Sequence, residues 1–171
     1  MERWLLPLAL CLVPVSAAAA PKTLEIGQGK FELGGHATVD IYFASPGDGV
    51  SATIAPFLGG FITDNVELIG GLDLFVLEGS TAVSFFAGAE YFFPSEYIRP
   101  YAGGTLGFGS YELIGVVGSD VFTISGRGGI VLPLNRNVGV DLGGRLDIFI
   151  NDGEPGLHIP IGYLGVRAFF P

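Results

Sequence analysis

Val138-Gly139-Val140-Asp141-Leu142-Gly143-Gly144-Arg145-Leu146-Asp147-Ile148-Phe149-Ile150 is the stretch that decides the fold. Its even positions are apolar or glycine, and its odd positions carry Asp141, Arg145 and Asp147. A β-strand sends successive side chains to opposite faces, so this segment has one apolar and one charged face. Several other segments alternate in the same way, and no helical period intervenes between them.

Working outward, alternation and turn residues predict eight strands of about 10–12 residues, the length that crosses a bilayer at a tilt. The first, Lys30 to Phe43, sets Phe31, Leu33, Ala37, Val39, Ile41 and Phe43 against Glu32, His36, Thr38 and Asp40. The second, Val50 to Ile62, follows the turn Ser45-Pro46-Gly47-Asp48-Gly49 and contains Pro56, where a local bulge is expected because proline cannot donate to a ladder. The third, Val66 to Leu77, points Glu67 and Asp73 inward; the fourth, ending at Phe93, points Glu90 inward. The fifth, Tyr97 to Glu112, carries Arg99 on its inner face, and the sixth, Asp120 to Leu132, carries Arg127. The seventh is the stretch quoted above, and the last, Leu157 to Phe170, turns Arg167 inward. This predicts an all-β, closed, antiparallel up-and-down transmembrane β-barrel over residues 30–171, apolar outside and polar inside. An even strand number puts both chain ends on one side. The turns at Asp64, Pro94 and Asn135 then face the periplasm, and those near Gly47, Gly79, Gly118 and Gly153 face outward.

Composition agrees. The 171 residues are 49% hydrophobic yet hold 28 glycines, 11 prolines and a net charge of −9. No later run of ~18 apolar residues offers a helical span. The first nineteen residues read as a cleaved secretory signal peptide: a short polar start, an apolar run from Trp4 to Val15, and small residues from Ser16 to Ala20, with cleavage expected after Ala18 or Ala19. Residues 20–29 form a short N-terminal segment before the barrel. Cys11, the one cysteine, lies in the leader, so neither a disulfide framework nor a thiol catalyst is expected in the exported chain. No cofactor is expected, and the absence of a basic patch argues against nucleic acid as a partner.

Three further stretches carry a resemblance. Phe61-Ile62-Thr63-Asp64-Asn65-Val66 resembles a periplasmic turn, Pro100-Tyr101-Ala102-Gly103-Gly104 the opening of a middle strand, and Tyr163-Leu164-Gly165-Val166-Arg167-Ala168-Phe169-Phe170 a C-terminal assembly signal. They resemble those of the small outer-membrane β-barrel family that includes the transmembrane domain of outer-membrane protein A and the stand-alone OmpX-type barrels. The likeness spans Lys30 to Phe170, with Pro171 following the aromatic where the family's signal ends. It implies a place in the outer membrane of a Gram-negative bacterium after Sec-type export. Tyr163, Gly165, Ala168 and Phe170 would be the residues read during assembly. The implied partners are outer-membrane lipid and lipopolysaccharide, together with the barrel-assembly machinery and periplasmic chaperones during biogenesis.

The inward set is Glu32, His36, Asp40, Glu67, Asp73, Glu90, Arg99, Arg127, Asp141, Arg145, Asp147 and Arg167. At eight strands an interior is just wide enough for side chains to fill it. A structural charge network in a mostly plugged lumen is therefore expected, with an envelope role and no catalysis. The alternative is a narrow, weakly cation-selective pore, kept open by water paths beside Gly59, Gly71, Gly88, Gly103, Gly107, Gly139 and Gly143. A lipid A-modifying enzyme would need a serine–histidine pair, which neither His36 nor His158 forms locally; His36 is expected to bond a carboxylate, and His158 to lie in a loop. Phe92, Phe93, Tyr97, Tyr101, Phe169 and Phe170 at one end, and Tyr42, Phe43, Phe75, Phe122 and Phe149 at the other, read as two interfacial girdles. The outer turns are acidic, with Asp48, Glu78, Asp120, Asp152 and Glu154. A soluble lipocalin-like binder would require the opposite placement, polar outside and apolar within.

Overall fold

A computed structural model describes residues 23–44, 47–77, 80–95, 97–113, 116–151, 154–160 and 162–171. The expected leader, residues 1–19, lies outside them. Nine strands follow in chain order: β1 (Phe31–Ala44), β2 (Gly47–Phe61), β3 (Val66–Leu77), β4 (Ser80–Phe92), β5 (Arg99–Leu113), β6 (Val116–Pro133), β7 (Val138–Asn151), β8 (Glu154–His158) and β9 (Tyr163–Phe170). Each pairs antiparallel with its neighbour, and β9 closes the ring by pairing with both β7 and β1. β8 and β9 are two pieces of one stave, so the barrel has eight. No helix occurs among the described residues.

The alternation in sequence becomes inside and outside. Leu33, Ile54, Leu58, Phe85, Leu106, Leu142, Leu146 and Leu164 are exposed on the outer wall, while Glu32, Glu67, Glu90, Asp141 and Arg167 are fully buried within. Such an exterior is stable only against hydrocarbon, and a closed barrel satisfies its backbone groups within the wall, as hydrocarbon demands.

At the end that carries both termini, short turns are set by side-chain caps. Thr63 Oγ1 accepts from the backbone N–H of Asn65 and Val66, and Asn135 Oδ1 accepts from those of Asn137 and Val138. These side chains replace the ladder partners that the chain gives up as it reverses. The opposite connections each span two residues, 45–46, 78–79, 114–115 and 152–153, which lie outside the described residues. The turn expected near Gly118 falls instead inside β6, whose strand begins at Val116.

Pro56 brings no bulge. The β1–β2 register runs unbroken through Gly35↔Pro56, and the β2–β3 ladder merely skips Ala55 and Pro56 without shifting. The missing N–H of Pro56 leaves a gap in the β2–β3 ladder while the pairs on either side keep the same register. The irregularity lies in the last stave. β7 pairs Gly143 with Tyr163 but Asp147 with His158, so the chain spends four steps on β7 and five on the last stave between the two pairs. The register thus shifts by one residue between β8 and β9, next to Pro160, which cannot donate, and Gly162, which takes φ 154°, a conformation that side chains rarely adopt.

Candidate functional site: the lumen

The inward side chains form layers. The lowest, at the end with the termini, is apolar: Phe61, Phe92, Tyr101, Val131, Tyr163 and Phe169 pack together, and Leu24 enters their cluster from the N-terminal segment. Phe61 lies 5.4 Å from Phe92 and 6.2 Å from Phe169, ring centre to ring centre. The segment before β1 is tied across the mouth, since Glu25 N–H donates to the Arg136 carbonyl and Gln28 N–H to Asp64 Oδ1. Phe92, Tyr101 and Phe169 are therefore not part of a girdle. In each of the pairs Phe92-Phe93 and Phe169-Phe170 one ring is buried and its neighbour exposed. Phe75 and Phe149 likewise follow the inward parity of Asp73 and Asp147, whereas Phe122 faces out. Tyr42 and Phe43 lie outside the described side chains.

Directly above sits an ionic layer centred on Arg167, which is 0% exposed. Its Nε donates to Asp141 Oδ2 at 2.7 Å and its Nη1 to Glu90 Oε2 at 2.8 Å, with Glu32 at 3.2 Å and Glu67 at 3.9 Å. Arg127 Nε lies 2.6 Å from Glu90 Oε1. Tyr101 Oη donates to Asp141 Oδ1 at 2.7 Å and also contacts Tyr163 Oη. The Arg167 guanidinium stacks 4.3 Å from the Tyr101 ring centre, and Phe57 lies 5.1 Å from Arg167 and 5.2 Å from Arg127. Every stave of the barrel contributes to this layer, β2 through Phe57. Charge-assisted bonds of this length are the stronger kind, and arginine's planar fork lets one side chain serve several acceptors at once.

A second, smaller network lies toward the far end. Arg145 grips Asp73 with two parallel bonds of 2.8 Å and donates to Asp147 at 2.5 Å. His158, which closes β8 rather than lying in a loop, places Nδ1 3.6 Å from Asp147. Between the two layers His36 stacks on Tyr163 with ring centres 4.5 Å apart. Its Nδ1 has no hydrogen-bond partner among the described residues, so the expected bond to a carboxylate is replaced by ring packing. Arg99, at the first position of β5, is half-buried and joins neither network among the described residues. The side chain of Asp40 lies outside the described set. In β9, Tyr163 and Gly165 face the lumen, Phe170 faces out, and Ala168 is half-buried on the outer side.

Most of the inward glycines seat large neighbours. A Cβ on Gly59 would strike the Glu67 carboxylate, on Gly71 the Phe57 and Phe86 side chains, on Gly103 Glu90, on Gly139 Val131, and on Gly143 the Tyr163 phenol. Gly88 abuts the backbone and side chain of Thr105, and a Cβ on Gly107 would press on the Phe85 carbonyl and meet Thr123 and Phe86 at ordinary distance. Gly34 lies under the Phe57 ring, which a Cβ there would overlap. Gly34→Val is therefore expected to block folding, because overpacking costs about 1–3 kcal/mol and here the neighbour is a ring locked in a full layer. Gly126→Ala, whose Cβ meets nothing, should fold normally. Gel mobility of unheated against boiled protein separates the two; equal folding of both would disprove the seating role.

No protein-family model matches the sequence, and no curated protein sequence matches it. Solved structures do. Neisserial surface protein A superposes with a TM-score of 0.63 at 18% identity, over 84% of this chain and 99% of that one. The N-terminal β-barrel domain of Pseudomonas aeruginosa OprF gives 0.61 at 18%, with the same 84% and 99% coverage. The outer membrane protein OprG of Pseudomonas aeruginosa gives 0.54 at 13%, over 85% and 97%. At these identities the likeness establishes the shared barrel fold.

Proposed function

We propose that this chain is an integral protein of the bacterial outer membrane whose lumen is plugged and whose role is structural, within the envelope, rather than catalytic or conductive. The leader expected over residues 1–19 would direct its export, with the turns at Asp64, Pro94 and Asn135 left in the periplasm. The apolar outer wall and the fold shared with an outer membrane protein support the location.

The observation that carries the plugged reading is the full burial of Arg167, Phe92 and Phe169 in successive layers. An ion following the axis would have to part an aromatic cluster and then break the charge-assisted bonds that Arg167 and Arg127 make in the layer above it. The non-catalytic reading is supported by His36, whose ring is engaged with Tyr163, and by His158, which faces a carboxylate already held by Arg145.

The refolded protein in a planar bilayer should be silent while its unheated gel band confirms folding. Steady, cation-preferring openings that change when Arg127 or Asp141 is neutralised would overturn this reading in favour of a pore.

A further inference from the structure

The segment before β1 crosses the mouth and is anchored on both sides of it. A turn over Gly27–Lys30, closed by the Lys30 N–H to the Gly27 carbonyl at 3.1 Å, sends the chain back over the opening. Its third residue, Gly29, takes φ 83°, which favours glycine. Gln28 N–H donates to Asp64 Oδ1 at 3.2 Å in the β2–β3 turn, and Glu25 N–H donates to the Arg136 carbonyl at 2.8 Å in the β6–β7 turn. In a ring of eight staves these two turns stand opposite each other. The Glu25 carboxylate adds Lys30 Nζ at 3.8 Å and Arg136 Nη1 at 3.5 Å, partly exposed pairs that contribute little by themselves.

Just past the second anchor, Leu24 turns into the barrel. It is 2% exposed, whereas its neighbours Thr23 and Glu25 are exposed. It packs with Phe61 of β2, Phe92 of β4, Tyr101 of β5, Val131 of β6, and Tyr163 and Phe169 of β9. Its seat therefore needs the early staves and the last one together. The β6–β7 turn is itself tied to the last stave, since Phe169 N–H donates to the Asn137 carbonyl at 2.7 Å and Asn137 Nδ2 to the Phe169 carbonyl at 3.0 Å. Until β9 has met β1, neither the seat of Leu24 nor the fixed position of its anchor exists. Ordering an irregular strap costs conformational entropy, which only a finished seat can offset.

We propose that residues 23–30 are a latch, which docks after β1 has met β9 and holds the closed barrel against reopening, with Leu24 as its bolt. An interaction made after the folding transition state leaves the folding rate unchanged and sets the unfolding rate instead. The latch stands on closure of the barrel and not on whether the lumen conducts.

The full chain is refolded into phosphatidylcholine vesicles, and its unheated gel band is followed during refolding and after transfer to urea. Leu24→Ala should unfold roughly tenfold faster or more, as loss of a buried leucine side chain predicts, while refolding at the parent rate. Thr23→Ala, beside it but exposed, should change neither rate. In a chain carrying Cys11→Ser, the pair Glu25→Cys and Arg136→Cys joins the strap to the opposite turn. Oxidised after folding, that chain should unfold more slowly than when reduced. The pair also decides the matter if Leu24→Ala does not fold. Refolding of Leu24→Ala slowed by the same factor would place the strap before closure and overturn the order. Unfolding at the parent rate in Leu24→Ala, or at one rate whether the pair is oxidised or reduced, would show that the strap holds nothing.

Discussion

Arg167→Met should leave little or no folded barrel. The side chain is fully enclosed, and its removal strands Asp141 and Glu90, which it holds at 2.7 and 2.8 Å, along with Glu32. Breaking a buried pair by deleting one partner costs about 3–5 kcal/mol, because the remaining charge stays buried without compensation. Here three carboxylates lose their shared donor at once, and Arg127 reaches only Glu90. The folded band on an unheated gel should vanish, or its urea midpoint should fall sharply. If the loss comes from stranded charge rather than lost packing, Arg167→Met combined with Asp141→Asn and Glu32→Gln should recover much of it. A single variant as stable as the parent would show that the hub is dispensable. A compensated variant no better than the single one would assign the loss to packing.

The network shows where sequence reading succeeds and where it stops. Each strand announces which residues face inward, because a one-residue slip would move charge into lipid and the alternation forbids it. Glu90 and Arg167 could therefore be placed in the lumen from their own strands. Their contact, between residues 77 apart, follows from the tilt and stagger of the closed barrel, which no single strand encodes. The aromatic layer was legible in part. Parity with Glu90 puts Phe92 inside, and parity with Arg167 does the same for Phe169, but their exposed neighbours Phe93 and Phe170 make each pair look like an anchor at the membrane edge. Leu24 was not legible, since an apolar residue in a short irregular segment carries no period to read. The register shift in the last stave had a local signal, Pro160 and Gly162 between two strand runs.

The inner layers and the outer wall make opposite demands on the same chemistry, and Leu142→Arg and Leu146→Arg test the outer one. Both leucines sit on β7 between inward residues, Asp141 and Gly143 flanking one, Arg145 and Asp147 the other. Leu142 is 39% exposed on the outer wall. An arginine facing hydrocarbon near mid-bilayer costs about 2–4 kcal/mol, so either variant is expected to insert poorly into vesicles and to lower the fraction of heat-modifiable protein. Arginine at position 145, one residue from Leu146, is accommodated because it points the other way, into Asp73 and Asp147. Refolding in detergent should be affected far less than insertion into a bilayer, since a micelle deforms around a charge that a bilayer must bury. Normal bilayer insertion of both variants would mean that this face does not meet lipid, and would undo the assignment of inside and outside on which the rest depends.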